Sequence, residues 1–284
     1  MQRSVFRWIQ WAAVAVLLGR AWQHIVFDAP YRALLWDEAW MSGIVDRFLG
    51  LNWSDFVTDP TIDATIQLGI QWVGGLLLLA GLTALFIRRL PSWMKVFVIA
   101  GGIVLFILAV MYMKEKFFHL GQLLEYSLQV GTPFFLLAAL RQNLHEKKLI
   151  LIMKGAIALT FVCHGLYAVG FYPRPGSFMD MTINILGVSN RQAVQFLWAA
   201  GILDFIASIL IFLPGKWSRA GLLYCVFWGT ATSVARVAGN FYIDFWWSSL
   251  HQWLPEMIFR FPHFLIPLAV FRWEQLRSRV PRPF

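Results

Sequence analysis

The chain is predicted to be an all-α, polytopic membrane protein with about eight transmembrane helices in two parallel four-helix repeats. Three observations predict this. Of 284 residues, 59% are hydrophobic and only 14% are charged, whereas soluble domains carry roughly 25% charged residues. Segments that meet or approach the roughly 20 apolar residues needed to cross a bilayer core of about 30 Å recur eight times. The second half of the sequence repeats the first, segment by segment. A soluble globule is excluded, because so few charges cannot solvate its surface. The net charge of +9 does not point to nucleic acid. The basic residues sit in short clusters between apolar segments, where they set topology.

The segments run over about 5–27, 67–87, 95–113, 121–141, 149–171, 192–213, 219–240 and 255–272. The first is interrupted by Gln10 and Arg20. Arg3 and Arg7 ahead of it resemble the start of a signal peptide, but no small-x-small cleavage site follows. It is expected to be a retained span. The seventh turns polar at Ser233, Arg236 and Asn240. Fifteen Lys and Arg fall in the loops of one side and six in those of the other. That bias places both termini in the cytoplasm; a bacterial plasma membrane is the expected location. The longest outer loop, about 28–66, contains PYRALLWDEAW and GLNWSDF. Its Trp and Tyr residues predict amphipathic pieces lying at headgroup depth.

The repeat is clearest where EYSLQVGTPFFLLAALR (125–141) meets EMIFRFPHFLIPLAVFR (256–272) without a gap. Ahead of these, WVGGLLLLAGLTALFIRRLPSW aligns with WAAGILDFIASILIFLPGKW. Earlier still, His24 in QHIVFDAPYRALLWD matches His164 in CHGLYAVGFYPRPGSFMD. Two units are therefore expected, 1–145 and 146–284. An even-numbered unit repeats in parallel about an axis along the membrane normal.

FVCHGLYAVGFYP (161–173) and ILGVSNRQAVQFLWAAGILDFIASILIF (185–212) resemble the DoxX-like family of four-helix membrane proteins. The carrying features are a His-Gly near the outer end of the first helix, then Gly201 and Asp204 on the second. The resemblance covers about 150–275, and 10–140 only through the repeat. The first half departs from it, with Ile25 after His24 and Leu78 where Asp204 stands. What the resemblance implies is an accessory or redox-associated, quinone-linked membrane component, with other membrane or redox proteins and the lipid bilayer as partners.

Ionisable groups inside a span cost upward of about 2.5 kcal/mol, so each should face protein or water and have a partner. Glu256, Arg260 and His263 are spaced to share one helical face, as are Arg236, Asn240 and Asp244. These two faces are expected to meet in one polar network. His164 and Asp204 are candidates for a ligand or proton site, with Tyr167, Arg236 and His263 at its mouth. The alternative is an internal hydrogen bond with no ligand. In the first half, Arg20 with His24 and Glu125 with Gln129 echo the second-half cluster.

No phosphate-binding GxxxxGK[ST], HExxH or GxSxG motif occurs, and no metal is expected. Cys163 and Cys225 lie in apolar segments and read as small buried side chains. A quinone fits as ligand. A haem is not expected, since only the symmetry of His24 and His164 speaks for it. Two other functions are carried alongside: a small-solute or lipid transporter, and a structural subunit of a larger membrane complex. The many Trp and Phe residues, 15 and 25, favour the last.

Overall fold

The computed structural model describes residues 2–141 and 146–278. Every regular element among them is helical. Helix α1 (Arg3–Val26) leads into three short helices, α2 (Arg32–Leu35), α3 (Glu38–Leu49) and α4 (Trp53–Thr58). Helices α5 (Pro60–Leu85) and α6 (Lys95–Glu115) follow, then a broken pair, α7 (Leu120–Glu125) and α8 (Ser127–Ala139). The second half holds α9 (Glu146–Val169), α10 (Gly176–Leu186), α11 (Asn190–Leu210) and α12 (Lys216–Ala238). It ends on a second broken pair, α13 (Trp246–Phe259) and α14 (Pro262–Ser278). The expected unit boundary at 145, and Arg279 and Arg282 of the basic tally, lie outside the described residues.

Five helical stretches are long and apolar enough to cross a bilayer: 60–85, 92–115, 146–169, 190–210 and 243–278. The chain is a multi-pass membrane protein. Helix α1 falls short because of Arg3, Arg7, Gln10, Arg20 and Gln23. Helix α12 falls short because Lys216, Arg219 and Arg236 stand among Ser and Thr. Helices α7 and α8 are short, at 6 and 13 residues.

Helices α1 and α9 form the centre. In each, twelve of 24 residues are buried. Helix α1 packs on α5, α8, α13 and α14, and α9 packs on α11, α14, α7 and α8. The outer helices follow the same plan: α6 lies against α2, α5, α7 and α8, and α12 lies against α10, α11, α13 and α14. A polar residue on α1 therefore meets protein, which is where an intramembrane cation is tolerated.

Four features differ from the sequence expectation. Helix α5 starts at Pro60 rather than 67. The Asp59 carboxylate accepts from the Thr61 backbone N–H at 2.7 Å, and Pro60 needs no hydrogen-bonded N–H in the first turn. The eighth predicted segment is two helices, not one. Pro262 disfavours the helical conformation at Phe261, and the chain bends there. Glu256, Arg260 and His263 therefore do not share one continuous helical face. Helix α12 likewise ends at Ala238. Asn240 turns back to donate to the Arg236 carbonyl at 2.9 Å, and Asp244 sits exposed in a separate 3-10 turn. Nothing in the local sequence explains the first break, at Tyr126.

The stretch between α1 and α5 is clamped to α6. Asp37 pairs with Lys114, and Trp40 stacks on Phe118. The hydrogen bond from Lys114 holds the Asp37 carboxyl below its ordinary range. Phe117 and Phe118, which form the turn after α6, are both in the left-handed region (φ 52° and 58°).

Helices α9 and α11 touch backbone to backbone. A side chain at Gly201 would place its first carbon 2.9 Å from the Gly165 carbonyl oxygen and 2.8 Å from a Val169 methyl. Gly201→Ala is expected to destabilise by about 1–3 kcal/mol through overpacking. Gly155→Ala on α9 meets nothing within 4 Å and should be neutral or stabilising, by up to about 1 kcal/mol. Thermal melts of both variants check the pair. Equal melts would mean that the two helices do not meet there.

Candidate functional site

The intramembrane polar residues form two buried clusters and one cavity. The first cluster surrounds Arg20, whose exposure is 0%. Its Nε and Nη2 donate to Gln129 Oε1 at 3.3 and 2.8 Å, and Nη1 donates to Gln23 Oε1 at 2.7 Å. Nη1 also donates to the Tyr112 hydroxyl at 3.3 Å. The guanidinium carbon lies 3.6 Å from the centre of the Phe259 ring, and the Tyr112 and Tyr126 rings each lie 5.4 Å away. Among the described residues no carboxylate pairs with it. Amide oxygens and aromatic faces take the place of a counter-ion. His24 completes this region, with Nδ1 2.6 Å from the Arg20 carbonyl and Nε2 3.1 Å from the Tyr31 hydroxyl.

The second cluster joins the two halves. His164 Nε2 on α9 lies 2.9 Å from Glu125 Oε1, at the end of α7. Gln122 donates to the same carboxylate at 3.4 Å. The His263 ring stacks on His164, with centroids 5.4 Å apart and 16° between planes. His263 Nδ1 is 2.8 Å from the Arg260 carbonyl. Tyr167 is buried, packs on Tyr172 and has no hydrogen-bond partner for its hydroxyl.

The cavity, of about 240 Å³, lies between α10, α11 and α12, with α9 and the α13–α14 break at its end. His164, Asp204, Arg236 and Arg260 line it together. The rest of its wall is mostly apolar, including Phe178, Met181, Phe196, Leu197 and Trp228. Ile185, Leu186 and Phe196 are exposed on the outer surface and form its lip. Ligand pockets share this composition, an apolar wall with a few convergent polar groups.

His164 and Asp204 thus face one space, but each has its own partner. The Asp204 carboxylate accepts from the Tyr224 hydroxyl at 2.9 Å, not from Arg236. Arg236 Nη1 lies 3.6 Å from Glu256 Oε2. Arg260 reaches neither Glu256 nor Asn240 with its side chain, so the expected polar network holds Arg236, Glu256 and Asn240 but not the Arg260 guanidinium. Tyr167 and His263 stand behind His164 rather than at the mouth of the cavity.

Sequence reasoning missed Tyr224, Gln23, Tyr112, Tyr126 and Phe259. Cys163 and Cys225 are free and buried. Among the described residues no cluster of His, Cys, Asp and Glu could hold a metal ion. Comparison of the chain with protein-family models, curated proteins and solved structures gives no match.

Proposed function

We propose that this is a DoxX-like, eight-span protein of the bacterial inner membrane with cytoplasmic termini, and that it binds a small amphipathic molecule. The role is accessory and redox-associated, the setting that the resemblance implies. One observation carries the binding reading: the cavity gathers four ionisable side chains at the edge of an otherwise apolar wall. Four such groups in one intramembrane space are expensive without a purpose. A quinone is one head group that suits it, because its carbonyls accept hydrogen bonds and its tail suits Phe and Leu.

The packing supports a duplication, with α1, α5, α6 and α7–α8 as one unit and α9, α11, α12 and α13–α14 as the other. Exchanging the units turns each central contact into another: α1 on α13 becomes α9 on α7, and α6 on α2 becomes α12 on α10. Contacts also support one register for it. Gly74 meets His24 and Ile25, while Gly201 meets Ala168 and Val169. Arg20 touches Phe259, the last residue of α13, and His164 touches Glu125, the last residue of α7. In this register Arg20, not His24, stands where His164 stands. The first half fills its site with its own guanidinium, and the second leaves a cavity.

The test is native mass spectrometry of the full chain taken from membranes in a neutral detergent. The expected result is a lipid-soluble adduct on the wild type that is absent from Ala231→Trp, which fills the cavity. An adduct with the mass of an isoprenoid quinone would support the redox setting. No adduct on either protein, or the same adduct on both, would overturn the binding reading.

A further inference from the structure

The lining of the cavity narrows the chemistry of its occupant. Most of its polar side chains are engaged within the protein. The Thr182 hydroxyl donates to the Phe178 carbonyl at 2.7 Å, and that of Thr232 donates to the Trp228 carbonyl at 2.9 Å. Asp204 is met by Tyr224, and His164 Nε2 by Glu125. The arginines differ. Arg236 is only 7% exposed, and its Nε is buried without a hydrogen-bond partner. The Nε of Arg260 is in the same state. Two guanidiniums thus line one space; Glu256 lies 3.6 Å from Arg236 alone, the Glu125 carboxylate is within electrostatic reach of both, and among the described residues neither guanidinium donates a hydrogen bond to either. Both Nε atoms are shut off from the cavity, so an occupant can meet only the terminal Nη groups, and a guanidinium in an apolar space without an acceptor is costly.

The geometry points to a ligand with an acidic head, a carboxylate or a phosphate, held by Arg236 and Arg260, with a single apolar chain running along α11 and α12 to the lip. This inference rests on reading the cavity as a ligand site and specifies what fills it. An acidic oxygen pair matches the planar donor array of arginine and gives charge-assisted hydrogen bonds. A neutral head offers the same acceptors without the charge. The chain has a path. Phe196, Leu197, Ala200 and Trp228 border the space below the arginines, and Ile185 and Leu186 border its exit. A volume of about 240 Å³ is below the ~300–1,000 Å³ of drug-sized sites. It admits a head group and the first part of one chain, not two chains side by side. The exit lies between exposed apolar residues, so a molecule dissolved in the bilayer enters without crossing water.

The experiment measures equilibrium binding to the full chain in neutral detergent with four probes: hexadecanoic acid, hexadecanol, a short-chain ubiquinone analogue and an anionic diacyl phospholipid. The expected result is that the acid binds at least about tenfold more tightly than the alcohol and the quinone analogue. Arg236→Gln and Arg260→Gln should each erase most of that preference, and Arg260→Lys should keep part of it. Each variant must elute as a single species and melt cooperatively. If the arginine variants fail to fold, Ala231→Trp, which leaves both guanidiniums in place, must abolish binding of the acid. Tight binding of the phospholipid alone would support the acidic head and a membrane lipid as its source, but would overturn the single chain. Equal binding of acid and alcohol, or tighter binding of the quinone analogue, would overturn the acidic head while leaving the cavity a ligand site. Binding of none of the four would overturn both.

Discussion

Gln129→Leu should lower stability by about 3–5 kcal/mol, the usual result of stripping a buried charge of its partner. Arg20 is completely enclosed, and among the described residues Gln129 alone meets two of its nitrogens. No carboxylate compensates among the described residues. With leucine at 129, Nε and Nη2 would point at hydrocarbon. Gln23 and the hydroxyl of Tyr112 would still hold Nη1, and Phe259 would still cover one face. Those contacts leave Nε and Nη2 without an acceptor, and an unmet donor on a buried charge is what costs stability. Arg20→Met in the Gln129→Leu background should recover much of the loss, since similar apolar volume often replaces a buried charge without penalty. Arg20→Met alone should be less favourable, because it leaves the Gln129 oxygen unmet, at about 1–3 kcal/mol. Thermal melts of the three variants in detergent give the cycle. A Gln129→Leu melt equal to wild type would show that Arg20 reaches water.

Some of this was legible in the sequence and some was not. Long apolar runs mark where helices lie, because hydrocarbon demands them. The cap at Asp59-Pro60 was also readable, although polar Thr61, Asp63 and Gln67 hid the first turns of α5. The Asp204–Tyr224 contact was readable too. Asp204 stands ten residues before Pro214 and Tyr224 ten after it, so the two sit at one depth on an antiparallel hairpin. Charge alone points Asp204 to Arg236, and a neutral hydroxyl is easily passed over. The Arg20 cluster is different in kind. Its partners come from α1, α6, α8 and α13, and no local pattern says that these four helices meet. The same holds for His164 and Glu125. Each half suggests partners within itself, but the packing crosses α9 with α7 and α1 with α13.

His164→Leu should destabilise by a similar amount, about 3–5 kcal/mol, because it leaves Glu125 buried beside a single weak donor. Glu125 and His164 are both buried, and their contact at 2.9 Å ties α7 of the first half to α9 of the second. With the imidazole gone, Gln122 at 3.4 Å is the remaining hydrogen bond to the carboxylate. The stacked His263 ring would also lose its neighbour. His164→Gln keeps a donor near the same place and should cost much less, about 1 kcal/mol, the worth of an ordinary hydrogen bond. Glu125→Gln should be mild for the same reason, since its amide oxygen can still accept from the ring. The conservative pair therefore separates the two roles of His164. If the residue only locks the halves together, His164→Gln melts close to wild type and leaves ligand binding in the cavity unchanged. If its ring also touches the occupant, the same variant melts close to wild type but binds more weakly. A His164→Leu melt equal to wild type would remove the pair as the link between the halves.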